Sequence, residues 1–97
     1  MTDHEHARPA VVAVILNEAA KEAAMMGPEV ADALERLRGE LEEHPLIGNL
    51  RGGGDGELVF WYPMTVGARE FTVPYVYVPE SVPPVLTVGR PVPKDLM

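Results

Sequence analysis

The chain has 97 residues and a net charge of −7, with 46% hydrophobic residues, ten prolines and no cysteine. That length suits one domain with a small core, and that composition is too apolar for a disordered chain. The absent cysteine excludes disulfides, thiolate metal sites and a cysteine nucleophile, which fits a reducing cytoplasm. The apolar runs are too short to span a bilayer, and the polar Met1–Arg8 is unlike a secretory signal.

The charge is uneven. Residues 29–43 set Arg36 and Arg38 against Glu29, Asp32, Glu35, Glu40, Glu42 and Glu43, while the half of the chain after residue 43 is nearly neutral. A protein that grips nucleic acid through phosphates normally carries a basic surplus. The overall balance argues against strong non-specific binding of that kind, and leaves room for a local basic patch.

In chain order, residues 1–8 read as a tail. Thr2-Asp3-His4 has the form of an amino-terminal Cu(II) or Ni(II) site once Met1 is removed; an ordinary polar tail is the preferred reading. Pro9–Leu16 contains Val11-Val12-Ala13-Val14-Ile15-Leu16, an apolar β-branched run that predicts a strand. Its lack of alternation predicts burial on both faces, as in a central strand. Asn17 offers an N-cap for a helix over Glu18–Met26, whose alanines allow close packing. Gly27-Pro28 ends that helix and starts the next.

Pro28–Glu43 is the clearest helix. Val30, Leu34, Leu37 and Leu41 recur at spacings of four, three and four, which sets them on one stripe. The acids Glu40, Glu42 and Glu43 sit badly at its C-terminal end, and a solvated helix end is preferred there over a cation site. His44-Pro45 closes it, and the two helices should form an αα-hairpin.

Leu46–Leu50 reads as a connector. Arg51-Gly52-Gly53-Gly54-Asp55-Gly56 lacks the phosphate-loop pattern and no helix follows it, so it reads as a flexible turn. Glu57–Tyr62 is a strand, Pro63–Ala68 a hairpin loop, and Arg69–Val78 the next strand. Pro74 cannot donate a ladder hydrogen bond, so an edge, a bulge or a break is expected there. A rigid loop over Pro79–Pro84, a last strand over Val85–Val88 and an irregular tail over Pro91–Met97 complete the chain. The fold class is therefore α+β, in the order β-α-α-β-β-β: a small, mostly antiparallel sheet with a helix hairpin packed on one side. It forms one domain over residues 9–91, between tails 1–8 and 92–97.

At this point the sequence resembles the RelE/ParE superfamily of bacterial toxins. The resemblance covers roughly residues 10–91. It rests on Val14-Ile15-Leu16 followed by Asn17-Glu18-Ala19-Ala20-Lys21-Glu22, on the long helix closing in His44-Pro45, and on Arg69 opening a strand with Tyr75 and Tyr77. Val88-Gly89-Arg90 resembles the closing strand and its arginine. The resemblance implies a component of a type II toxin–antitoxin system, partnered by an antitoxin protein. One branch of that family cleaves messenger RNA on the ribosome without metal or other cofactor; the other poisons DNA gyrase by binding it.

Arg69 and Arg90 are the residues that match, and they are the catalytic candidates. Two arginines on one phosphate would make bidentate, charge-assisted contacts and stabilise its transition state. That needs them together on an open face of the sheet. Arg51, at the head of the glycine run, and Trp61, which could stack on a base or a partner, are the binding candidates. Singly, each arginine also reads as a strand-end charge, and Trp61 as core or interface. The companions of the family's ribonuclease site are missing. Leu58–Tyr62 carries no basic residue, no histidine follows His44, and no tyrosine follows Arg90. Loss of a general acid or base costs roughly 10²–10⁴-fold in rate, so the expected ribonuclease site is incomplete. The alternative is a catalytically inactive interaction module or homodimer, which predicts a contiguous apolar patch on the sheet.

Overall fold

The computed structural model describes residues 10–96. The Met1–Arg8 tail, the Thr2-Asp3-His4 pattern and Met97 lie outside them. The elements are β1 (Val12–Ile15), α1 (Asn17–Met26), α2 (Pro28–Glu43), β2 (Asn49–Gly54), β3 (Glu57–Val66), β4 (Arg69–Val78), β5 (Val85–Val88) and β6 (Val92–Pro93), followed by a 3₁₀ turn at Lys94–Leu96. The class is α+β as expected, with the order β-α-α-β-β-β enlarged by two short strands. The sheet runs β1-β5-β4-β3-β2, with β6 also on β4. Only β1 and β5 are parallel; the other pairs are antiparallel.

The helix hairpin covers one face of the sheet. The stripe predicted for α2 is buried to the last member, Val30, Leu34, Leu37 and Leu41 each being at most 4% exposed. Ala19 and Ala23, one turn apart on α1, are buried with them, because a methyl lets the helices approach closely. From the sheet, Phe60 and Met64 of β3, Phe71, Val73 and Tyr75 of β4, and Leu86 and Val88 of β5 point into the same core. These positions alternate along each strand, as the pleat requires.

Tyr75 ties the core to the connector after α2. Its ring stacks on Phe60 at 4.9 Å between centroids. Its hydroxyl donates to the Pro45 carbonyl at 2.8 Å and accepts from the Gly48 amide at 2.9 Å. A Cβ at Gly48 would stand 2.8 Å from that oxygen, so only glycine fits.

Several expectations are corrected. The helix starts at Asn17 itself, with Leu16 in the cap position and no side-chain cap. Leu16 still donates to Val88 of β5, and its carbonyl accepts from Ala20, so the strand passes straight into the helix. β1 is an edge strand and not a central one, and Val12 and Val14 are 41% and 45% exposed. Its outer edge is closed by α2: the Ala13 amide donates to Glu42 at 3.1 Å, and Arg38 donates to the Ala13 carbonyl at 3.3 Å. Arg38 also pairs with Glu42 at 3.1 Å. Glu42, out of place for the helix dipole, thus serves the sheet, and the exposed backbone edge is blocked.

The glycine run is a strand, not a flexible turn. β2 pairs with β3 through a bulge between Leu50 and Gly52. The turn is shorter and later: Asp55 and Gly56 have φ of 54° and 83°, as a two-residue type I′ hairpin requires. The predicted loop over Pro63–Ala68 is mostly strand. β3 continues to Val66, and Gly67-Ala68 alone makes the turn, with Gly67 at φ 61°.

Pro74 lies inside an unbroken β4, and the break falls in its partner. Its carbonyl accepts from the Gly89 amide at 2.8 Å. The β5 ladder begins one residue later at Tyr75 and the β6 ladder ends two residues earlier at Thr72. The missing N–H therefore faces the gap between two partner strands. The tail expected after Pro91 supplies β6 and the 3₁₀ turn.

Burial pushes the Tyr75 hydroxyl above its ordinary value of 10.0, although the Gly48 amide acts the other way. The folded state therefore favours the neutral phenol. Its contribution is complete below about pH 10 and is lost as pH rises through the folded value. Tyr75→Phe should lose about 1–2 kcal/mol, since the Gly48 amide and Pro45 carbonyl lose a partner. It should also weaken the alkaline loss of stability. Urea unfolding from pH 7 to pH 11 checks both; an unchanged midpoint would remove Tyr75 as the tie.

Candidate functional site

Each predicted site residue is held by a neighbour that the sequence does not announce. Arg69 opens β4 on the face that buries Phe71 and Val73, the helix side. Its guanidinium donates to the Met26 carbonyl at 3.0 Å and lies 5.1 Å from the Phe71 ring centroid. Met26 ends α1, whose last turn has no basic residue of its own. A helix leaves its last carbonyls without intrahelical donors and carries partial negative charge there. Arg69 supplies across space the cation that α1 lacks.

Arg90, just past β5, pairs with Glu22 of α1 at 3.0 Å. Glu22 and Met26 are four residues apart, one turn of the same helix. The structure thus brings Arg69 and Arg90 to the same side, against α1. The open face of the sheet, where the nuclease reading needs them, carries neither. The Arg90–Glu22 pair is exposed, with side chains 63% and 37% accessible, so it is a weak, exchangeable contact.

Arg51 and Trp61 do come together, on the other face. The Arg51 guanidinium stands 4.5 Å over the Trp61 ring, within cation–π range. The bulge in β2 places Arg51 there, and Trp61 is partly buried beneath it. Around them the open face is apolar. Val14, Thr87, Val76 and Val59 form one row across β1, β5, β4 and β3, and Val12 lies on the row beside it.

Two clefts flank this architecture. One, of about 670 Å³, runs between Arg69–Phe71 and Pro93–Leu96; its Lys94 is paired with Glu70 at 3.1 Å. The other, of about 1080 Å³, lies between the end of α2 and the β4–β5 loop, beside Leu46, Tyr77 and Val82. Neither joins Arg69 to Arg90. Among the described residues, no three histidine or acidic side chains are grouped to hold a metal, and no helix is long and apolar enough to cross a membrane. Comparison with protein-family models, curated proteins and solved structures finds no match to this chain.

Sequence reasoning did not find Glu22, Met26, Arg38 and Glu42 as partners. For Glu22 and Met26 no local signal exists, because each contact crosses from α1 to the strand half of the chain. Arg38 stands at i,i+4 to Glu42 on α2, a spacing visible in the sequence, although its contact with the Ala13 carbonyl is not. Glu42 did stand out as an acid at the wrong helix end.

Arg69→Ala should cost about 0.5–1 kcal/mol through the lost carbonyl contact and helix-end charge. Arg90→Ala should cost under about 0.5 kcal/mol. In molar salt, where the Debye length is about 3 Å, the Arg90 loss should vanish and part of the Arg69 loss remain. Thermal unfolding of both variants at two salt concentrations checks this; equal losses would deny Arg69 its role at the end of α1.

Proposed function

We propose that the chain is a toxin-like component of a type II toxin–antitoxin pair, of the RelE/ParE kind, that inhibits a protein target by binding and does not cut RNA. The observation that carries this reading is the engagement of both arginines by α1. Arg69 serves the α1 terminus and Arg90 serves Glu22, so each guanidinium already has a partner on α1. The missing basic strand and late tyrosine point the same way, because the proton-transfer residues that the resemblance implies are absent and the carboxylate beside the arginines, Glu22, is paired with Arg90.

The binding reading gains support from the open sheet face. Alternate positions of a water-facing sheet are usually polar; here they are mostly valines, threonines, prolines and tryptophan, with Glu57 and Glu70 at the strand ends. In the binding branch of the family the resemblance names, the target is DNA gyrase, and an antitoxin protein is the natural neutralising partner. A weakened ribosome-dependent ribonuclease is the second reading. The observation favouring it is that Arg69 and Arg90 reach α1 within one helical turn, and that the exposed Arg90–Glu22 pair is easily exchanged.

Induced expression with growth as the readout tests the proposal. Wild type and an Arg69→Ala/Arg90→Ala double variant should both arrest growth, with messenger RNA intact. Arrest by wild type alone, with RNA cut in ribosomal frames, would replace the proposal by the nuclease reading. Growth undisturbed by either would replace it by an inactive interaction module.

A further inference from the structure

We propose that the open face of the sheet is the contact surface for a second copy of this chain, joined face to face as a two-sheet sandwich. The inference rests on the reading of that face as protein-binding and assigns it to a second copy, so that a target or an antitoxin using the same face would have to displace that copy.

The face is apolar in the middle, with Arg51 over Trp61 toward the β2 side and acids at the strand ends. The row Val14–Thr87–Val76–Val59 crosses four strands without a charge; Val12 extends it at one edge and Trp61 at the other. Glu57 and Glu70 stand at the strand ends. A partner selected by opposite charge would find almost nothing to pair with. A like surface, flat and β-branched, would find a complement.

The distribution of charge favours a copy on this face over one on the helices. The chain carries −7 overall, and its acids concentrate on the helices, behind the sheet. Two copies meeting through their open faces put two sheets between the helix layers. At about 10 Å per layer the acidic surfaces stand roughly 30 Å apart, well beyond the Debye length of about 8 Å at physiological salt. Pairing through the helices would instead oppose the acids directly. Edge-to-edge pairing at β1 is blocked by Arg38 and Glu42.

The area agrees with a modest dimer. Strands β1, β5, β4 and β3 contribute 4, 4, 10 and 10 residues. At about 3.3 Å per residue and about 4.8 Å between strands, their shared face projects to about 440 Å² per copy. Two copies give about 900 Å² before surface relief is counted, close to the roughly 1,000 Å² a specific interface should clear. An interface just under that threshold is a weak one, for which a dissociation constant on the order of micromolar or weaker is expected.

Sedimentation equilibrium of the full chain over about 1–300 μM brackets such a constant. A monomer–dimer equilibrium that persists or tightens in molar salt is expected, since apolar contact is not screened. Val14→Lys/Thr87→Lys, at partly exposed positions of short strands, should weaken association at least about tenfold, and Val82→Lys, which is 89% exposed and off the face, should leave it unchanged. Should the double variant fail to fold, Trp61 in wild type supplies the second readout: its acrylamide quenching should fall as dimer forms. A chain monomeric throughout, or a dimer indifferent to the face substitutions and to Trp61 quenching, would overturn the proposal. A monomer that still arrests growth would sink the second copy and leave the binding reading standing; a dimer without growth arrest would do the reverse.

Discussion

The α1–α2 hairpin can cover only one face of its sheet, and the burial of Val30, Leu34, Leu37 and Leu41 decides which. Those four side chains meet Phe60, Phe71, Val73, Tyr75, Leu86 and Val88, and so fix the alternation of every strand. Tyr75 then pins the connector that follows α2, and Arg69 and Arg90 fall on the same side as α1. The opposite face receives the remaining alternate positions and, among the described residues, no covering element. The arginine contacts and the exposed apolar face are two results of one packing choice.

This bears directly on function. An arginine pair reads as an anion site only while its guanidinium groups face the ligand. Here one meets a helix-terminal carbonyl and the other a helix carboxylate. Both contacts favour the placement of α1, although each is modest in energy. The sheet face offers the opposite case: beyond Arg51 over Trp61 and the strand-end acids Glu57 and Glu70 it presents no charge, and its apolar area costs free energy while it stays wet.

The helices were legible because four apolar residues at helical spacing have few other solutions. The α+β class followed from them and from the β-branched runs. The strand ends were less legible for identifiable reasons. Glycines have low strand propensity, so β2 was hidden, although the Asp55-Gly56 pair was a hairpin signal. The apolar run at β1 predicted double burial; its open face is bare, and periodicity cannot tell a covered face from an uncovered one. Pro74 predicts an edge, a bulge or a break in its own strand, but β4 runs unbroken through it and the gap lies between its neighbours β5 and β6. Arg69 and Arg90 were visible as residues, while Glu22 and Met26, which decide what those arginines do, were not. Such partners depend on how the hairpin lies on the sheet.

The account separates two groups of residues: arginines that secure α1, and a sheet face that meets another protein. Sedimentation equilibrium on the Arg69→Ala/Arg90→Ala and Val14→Lys/Thr87→Lys variants, side by side, tests that division most directly. The arginine variant should associate as wild type does, and the face variant should remain monomeric while folded. Association lost with the arginines and kept with the face altered would contradict it.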